Sequence, residues 1–334
     1  MKVNKRLRDL HEEGNNRYSR LATEVRDMLK PLVEQKGWFF TWRLKELESF
    51  ALKIETGRVS NPVALEDFFA CTIVVPTLSR IGDAEQLITT HFDFRERRPP
   101  DDSQTSKRSS SFPFDDLRLY VARRPAASGR DADLDGTVFE VQIKTVLQYA
   151  WIIATHDLIY KTNTVSWPKE RIAFQIKAML EHAEIAIAAA EQLSDSPSVA
   201  KKDKWTDNII AIINQIECFW PEDQFPEDRK RLAENIFGLL RTADLPANRL
   251  VTLLEAEKSR NGMIPTDLSP YAFTVQALAH YPGIKFEEKF KRSRIKTKIV
   301  IHDGMDIPTW MKQHSRVINL NAFDFPPGEE NNSA

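Results

Sequence analysis

The stretch Thr137–Lys161, TVFEVQIKTVLQYAWIIATHDLIYK, decides the fold of this chain. Its first part, residues 137–145, alternates between apolar and polar side chains, and a period of two predicts a β-strand. The apolar residues that follow are spaced by three and four, which predicts a helix over Val146–Lys161. The polar face of the strand carries Glu140, Gln142 and Lys144.

These polar side chains suit a metal-bound polyphosphate. A carboxylate, an amide and an ammonium share the strand face, and His156, Tyr160 and Lys161 follow near the end of the helix. Carboxylate oxygens are hard ligands for Mg²⁺, and ammonium groups bind phosphate oxygens. An edge strand with a solvated polar face shows the same alternation, so the pattern alone leaves both interpretations open.

A second polar cluster is predicted where the strand over residues 38–45 gives way to a helix over residues 46–56. Three cations and a hydroxyl near a helix N-terminus make a site for a triphosphate. A solvated face of scattered cations is the alternative. The spacing R-x-K-x-x-x-S-x-x-x-K supplies the cluster, which consists of Arg43, Lys45, Ser49 and Lys53.

Two further strands are predicted. Phe68–Val75 is a continuous apolar run ended by Pro76 and reads as a central buried strand, with Asp67 at its start. Phe114–Arg123 alternates and reads as another strand. The polar segment between them, residues 92–111, predicts a mobile loop. Its cations are Arg95, Arg97, Arg98, Lys107 and Arg108.

Composition excludes several protein classes. The chain has 334 residues, 42% of them hydrophobic and 28% charged, with a formal net charge of −1. These values are typical of a soluble globular protein with a large core. Cys71 and Cys218 are the only cysteines, which excludes a disulfide scaffold and favours a reducing compartment, so we expect a cytoplasmic protein. No apolar run is long enough to span a bilayer, and the N-terminus lacks a hydrophobic signal core.

The pattern predicts two domains. The first is an α/β domain with a mixed β-sheet flanked by helices, and the second is mainly α-helical. Within the second, residues 281–298 are rich in Lys and Arg, which indicates either a solvated face or nucleic-acid binding. The predicted boundaries are 1–36 for an N-terminal helical segment, with a break near Gly14–Asn16, 37–193 for the α/β domain, 205–325 for the helical domain and 326–334 for a disordered tail.

Three of these motifs, in this order, resemble the signature of RelA/SpoT synthetases. The family pattern E-x-Q-I-R/K-T, followed by a helix that ends H-x-x-Y-K, resembles the stretch from Glu140 to Lys161. The pattern R-x-K-x-x-x-S-x-x-x-K and the strand that begins at Asp67 precede it. The resemblance covers residues 37–165. It implies the fold of these synthetases, which is similar to that of polymerase-β-type nucleotidyltransferases.

The resemblance also implies a reaction, in which the β,γ-diphosphate of ATP moves to a ribose 3′-hydroxyl and AMP is released. It implies that Asp67 and Glu140 hold Mg²⁺, that Glu140 also accepts the hydroxyl proton, and that the R-x-K-x-x-x-S-x-x-x-K cluster binds the ATP phosphates. The residues that it implies for the acceptor or for phosphate are Phe114, Arg118, Gln142, Lys144, His156 and Lys161.

Two departures from the family pattern bear on the substrate. The family continues D-x-x-G-x-R from its aspartate, and Thr72 stands at the arginine position, so contacts of that arginine are lost or supplied elsewhere. The acceptor motif Y-x-S-x-H is replaced by Phe114, Asp116 and Arg118. Phenylalanine can still stack on a base, but the altered motif leaves the acceptor open.

Several functions therefore remain open. The acceptor is GDP or GTP, giving a (p)ppGpp-type alarmone of the stringent response, or an adenosine nucleotide. Alternatively it is the 3′-CCA end of tRNA, as in toxic small synthetases of toxin–antitoxin and phage-defence systems. A catalytically inactive nucleotide sensor is a third possibility. We expect no hydrolase domain and no membrane partner, and self-association into a homo-oligomer stays open.

Overall fold

The computed structural model describes residues 2–59, 61, 65–105, 108, 117–125, 129, 131–155, 165–295 and 297–323. The chain divides into two compact units, Met1–Val199 and Ala200–Ala334. Among the described helices, none combines the length and the hydrophobicity that crossing a membrane requires. Some sequence predictions lie outside the described residues. They concern the disordered tail over 326–334 and the residues Lys107, Phe114, Asp116, His156, Tyr160 and Lys161.

In the described part of the first unit, five strands form one mixed sheet in the order β1-β2-β5-β4-β3. Strands β2 and β5 run parallel, whereas the other neighbouring pairs are antiparallel. This arrangement confirms the mixed sheet predicted from the sequence. The bounds of the strands are β1 Phe39–Leu44, β2 Phe69–Val75, β3 Asp93–Arg98, β4 Leu117–Ala122 and β5 Val138–Thr145.

Helices flank this sheet, as predicted. Their bounds are α1 Lys5–Gln35, α2 Leu47–Glu55, α3 Ile81–His91, α4 Val146–Thr155, α5 Trp167–Ala188 and α6 Ala190–Ser194. One face of the sheet packs with α1 and α3 in a single hydrophobic core, because alternate residues of β2 and β5 are apolar and point to that face. Cys71 lies in this core, where burial and the nearby Glu140 raise the pKa of its thiol.

The loop predicted over residues 92–111 is wrong at its start, because Asp93–Arg98 forms strand β3 and pairs with β4. The register shifts between Phe94 and Glu96, so a β-bulge interrupts the alternation that reveals a strand in sequence. Charged side chains also dominate this strand. Charges of this kind protect an edge strand against pairing with another chain, and they make it look like a loop.

The predicted break in the first helix is also wrong, since α1 runs without interruption through Gly14. The ring of Phe68 packs beside this glycine, and a Cβ built on Gly14 would lie 2.9 Å from Phe68 Cε2. The same ring stacks on Tyr18 with 4.9 Å between centroids and meets Phe50 edge-on at 5.7 Å. At Gly14, helix α1 thus passes close to Phe68, the residue that precedes β2.

The second unit is mainly helical, as predicted. Its described helices are α7 Lys204–Glu217, α8 Arg229–Thr242, α9 Leu250–Asn261, α10 Pro270–His280, α11 Phe286–Arg292 and α12 Thr309–Lys312. Two short parallel strands, β6 Ile299–Ile301 and β7 Val317–Asn319, accompany them. These elements share a hydrophobic core of their own. Helix α11 lies in the basic stretch and buries Phe286 and Phe290 in that core.

Gly14→Ala is expected to lower the free energy of unfolding by about 1 kcal/mol, although alanine favours a helix. The overpacking against Phe68 outweighs the gain in helix propensity, which is roughly 1 kcal/mol. Chemical denaturation measures the change. Gly82→Ala in α3 is the matched control, because nothing lies within 4 Å of its added Cβ, and it should stabilise the protein by up to about 1 kcal/mol. Equal stabilisation by both substitutions would contradict the close approach.

Candidate functional site

The strand register gathers polar side chains on the sheet face opposite the apolar core. Residues opposite each other on neighbouring strands point to the same face. One row across the sheet consists of Arg43, Ala70, Glu140, Tyr120 and Glu96, and the next consists of Thr41, Thr72, Gln142, Arg118 and Arg98. The predicted strand face with Glu140 and Gln142 therefore meets charged residues from β1, β3 and β4.

Asp67 is clamped by two lysines. Lys45 Nζ and Lys53 Nζ each donate a hydrogen bond to Asp67 Oδ2 at 2.8 Å. The side chains of Asp67 and Lys45 are only 17% and 9% exposed. Burial opposes ionisation of Asp67, but the two ammonium groups outweigh it and lower the pKa of the carboxyl. Its other oxygen, Oδ1, is buried and accepts no hydrogen bond within the described structure.

Local structure places these lysines. Lys45 follows β1, and its backbone N–H donates to the carbonyl of Phe68 at 2.8 Å. The ring of His11 on α1 contacts the Lys45 carbonyl at 2.8 Å and packs against Phe68. Lys53 lies on α2, which is anchored by the buried Phe50. The antiparallel pairing of β1 with β2 thus brings Lys45 beside Asp67, and the packing of α2 brings Lys53.

Glu140 is a buried carboxylate, 3% exposed, with both oxygens in use. Tyr120 donates its hydroxyl to Oε2 at 3.0 Å, and Gln142 Nε2 donates to Oε1. An Arg118 nitrogen lies 3.9 Å from Oε2. A buried carboxylate is tolerated only with such partners, so the family motif E-x-Q is here a hydrogen-bonded pair on one strand.

Tyr120 and Arg98 also contact this site. Sequence reasoning did not select Tyr120, and it placed Arg98 among the cations of a mobile loop expected to close over ATP. The Arg98 guanidinium lies over the Tyr120 ring, 4.4 Å from its centroid, and donates to the Tyr120 hydroxyl at 3.3 Å. Burial and the adjacent Glu140 raise the pKa of Tyr120 to about 12. The alternation of apolar and polar residues in β4 assigns Tyr120 to the polar face, and this pattern was the sequence signal that could have identified Tyr120. Arg98 could not be placed because β3 was not predicted.

The remaining predicted site residues that the structure describes differ in their exposure and in their position on the sheet. Arg43 and Ser49 are exposed. Arg118 shares a row with Gln142, and Lys144 lies one row further along the same face, 3% exposed. The structure thus brings Lys45 and Lys53 to Asp67, and Gln142 and Arg118 to Glu140.

A cavity of about 340 Å³ lies between Asp67 and Tyr120. Three cationic side chains face it together with two carboxylates, so its walls can bind an anion and a cation side by side. The residues that line it are Lys53, Arg58, Val59, Asn61, Leu65, Glu66, Asp67, Arg98 and Tyr120. Tyr120, which lines the cavity, also donates a hydrogen bond to Glu140, although Glu140 is not among the lining residues.

The residues present are compatible with the Mg²⁺ that the resemblance implies. Asp67 Oδ1 is a buried hard oxygen without a hydrogen-bond donor, which is the chemistry of a magnesium ligand. Within the part of the chain that the structure describes, no three His, Cys, Asp or Glu side chains form a metal-binding group. A magnesium site here would therefore need oxygens from a bound phosphate, as is usual for this ion.

Comparisons with known proteins agree with the sequence motifs. Residues 42–165 match the family model described as a region found in RelA/SpoT proteins. Among solved structures, small alarmone synthetase 1 from Bacillus subtilis is 15% identical, with a TM-score of 0.45, and the match covers 55% of this chain and 98% of that one. A GTP pyrophosphokinase family protein from Streptococcus pneumoniae is 18% identical, with a TM-score of 0.43, and the match covers 57% and 98%.

The same Bacillus subtilis synthetase has also been solved with its product pppGpp, again at 15% identity and a TM-score of 0.45, covering 55% and 98% of the two chains. No curated protein matches the chain. The TM-scores are low, so the assignment rests on the family model and on the motifs that lie within it. Residues 42–165 of this chain therefore correspond to the region found in RelA/SpoT proteins.

Proposed function

We propose that this chain is an ATP-dependent pyrophosphokinase that transfers the β,γ-diphosphate of ATP to the ribose 3′-hydroxyl of GDP or GTP. The observation that carries the proposal is the pair of lysines on Asp67 beside a cationic cavity, within the RelA/SpoT region. Ammonium groups bind phosphate oxygens, and a carboxylate oxygen is a ligand that Mg²⁺ accepts beside bound phosphates.

The proposed reaction balances without a further reactant. The acceptor's 3′-oxygen attacks the β-phosphorus of ATP, the bond from that phosphorus to the α,β-bridging oxygen breaks, and AMP leaves. Glu140 receives the 3′-hydroxyl proton, since it is the buried carboxylate held at the centre of the polar face. The product is a guanosine nucleotide with a 3′-diphosphate.

The other residues have separate tasks in this proposal. Lys45, Lys53 and Arg43 bind the phosphates of ATP, with Ser49 as a hydroxyl donor. Asp67, together with Glu140, would hold Mg²⁺, which neutralises the phosphates. Of the residues implied for the acceptor, Arg118 and Gln142 lie beside Glu140, where they can orient the attacking ribose.

One observation favours a second acceptor, the 3′ end of tRNA. In the second unit a cleft of about 360 Å³ is lined by four cations, Arg241, Lys285, Lys289 and Arg292, and by two carboxylates, Asp244 and Glu288. Such a cleft can bind a phosphate backbone. An inactive sensor is less well supported, because nucleotide binding alone does not require a buried, doubly hydrogen-bonded carboxylate such as Glu140.

ATP labelled at the γ-phosphate tests the proposal directly. The protein is incubated with Mg²⁺ and with GDP, GTP, ADP or bulk tRNA in parallel, and we expect the label in the guanosine nucleotide. Label in tRNA would contradict GDP or GTP as the acceptor and identify tRNA in their place. No transfer to any of the four compounds would contradict the proposed reaction itself. Glu140→Gln should reduce transfer at least about 100-fold, because an amide cannot accept the proton.

The Glu140→Gln variant needs a folding control, since its new amide can oppose the Gln142 donor. Thermal melting of the variant should remain cooperative. Glu55→Gln, an exposed residue at the end of α2, is the matched control and should leave transfer unchanged. Full activity in a folded Glu140→Gln protein would exclude Glu140 as the proton acceptor.

Asp67→Asn should destabilise the nucleotide-free protein by about 2 kcal/mol, because it leaves the buried Lys45 ammonium without its anionic partner. Tripolyphosphate should raise the melting temperature of this variant more than that of the wild type, since the anion then pairs with both lysines. Asp83→Asn is the control, because the Asp83 pair with Arg80 is exposed at both ends. Equal responses to tripolyphosphate would contradict a phosphate site at Lys45 and Lys53.

A further inference from the structure

Tyr120 is the strand residue directly opposite Glu140 in the antiparallel pair of β4 and β5. Its side chain is 5% exposed, yet its hydroxyl does not face an apolar environment. It donates to Glu140 Oε2 at 3.0 Å. A tyrosine needed only for packing could be replaced by phenylalanine, whereas here the hydroxyl has a buried charged partner.

The oxygen of the same Tyr120 hydroxyl also accepts a hydrogen bond. Arg98 donates to the Tyr120 oxygen at 3.3 Å while its guanidinium covers the ring. Arg98 is itself fixed by Glu96, to which it donates two hydrogen bonds at 2.6 and 2.7 Å. With its lone pair directed to Arg98, the Tyr120 hydroxyl has its proton directed to Glu140. The chain Glu96, Arg98, Tyr120, Glu140 thus runs across three neighbouring strands.

This series of hydrogen bonds determines the orientation of the Glu140 carboxylate. Gln142 holds Oε1 from the same strand, and Tyr120 holds Oε2 from the next one. Two donors from different strands fix the plane of the carboxylate, so its remaining lone pairs point in defined directions. A carboxylate that must take a proton from a bound hydroxyl gains from such a fixed orientation.

We propose that Tyr120 is the positioning residue for Glu140, with Arg98 holding the Tyr120 hydroxyl in its donating orientation. The proposal rests on the pyrophosphokinase function proposed above and deepens it. Tyr120 acts through Glu140 and does not itself exchange a proton with the substrate. Removing its hydroxyl therefore impairs the chemical step more than nucleotide binding, because the ring that lines the cavity stays in place.

Tyr120→Phe tests this, because phenylalanine keeps the ring under Arg98 and removes only the hydroxyl. We expect kcat to fall about 10- to 100-fold, while the KM values for ATP and acceptor stay within about twofold. Thermal melting should stay close to that of the wild type. Tyr149→Phe is the matched control, because the described contact of Tyr149 is ring packing with Phe39, and it should leave kcat unchanged.

A double-mutant cycle separates positioning from a general structural effect. Glu140→Asp withdraws the carboxylate from Tyr120 by one methylene, so adding Tyr120→Phe to it should cause little further loss of kcat. Fully additive losses, or equal kcat for Tyr120→Phe and the wild type, would overturn the proposal. A wild-type protein that transfers diphosphate to no acceptor would instead overturn the proposed function, and the positioning role with it.

Discussion

The parallel pairing of β2 with β5 is the constraint on which the site depends. It places Ala70 opposite Glu140 and Thr72 opposite Gln142, with the apolar residues between them in the core. A shift of one residue would turn Glu140 into the apolar core and expose its neighbours. Because both strands are central and nearly fully buried, the hydrophobic core fixes the register that the chemistry needs.

Burial of the functional charges then dictates their partners. A charge removed from water is tolerated when it is paired and hydrogen-bonded, and the site follows this rule at two places. Asp67 lies between Lys45 and Lys53, and Glu140 is held by Tyr120 and Gln142.

Sequence reasoning predicted the fold class and the central strands, because the period-two alternation of β5 and the apolar run of β2 are strong signals. It grouped Lys45 and Lys53 as phosphate ligands and Asp67 with Glu140, whereas the ion pairs of the lysines with Asp67 follow from the antiparallel pairing of β1 with β2. It missed β3, whose bulge and charges hide the alternation, and with it Arg98. Tyr120 was assigned to the correct face, but its contact with Glu140 depends on a register that no single strand reveals.

Thr72 stands where the RelA/SpoT family pattern has an arginine, and the strand register shows which charged residues lie near this position. Thr72 lies in the row that continues through Gln142 to Arg118 and Arg98, so the row still carries guanidinium groups. With strands about 4.8 Å apart, Arg118 and Arg98 lie roughly 10 and 14 Å from the position of the missing arginine. The guanidinium groups of this row thus lie on the side of Glu140 that is opposite to Arg43. Within the proposed function, Arg118 and Arg98 are the guanidinium groups of this row that can contact a substrate in place of that arginine.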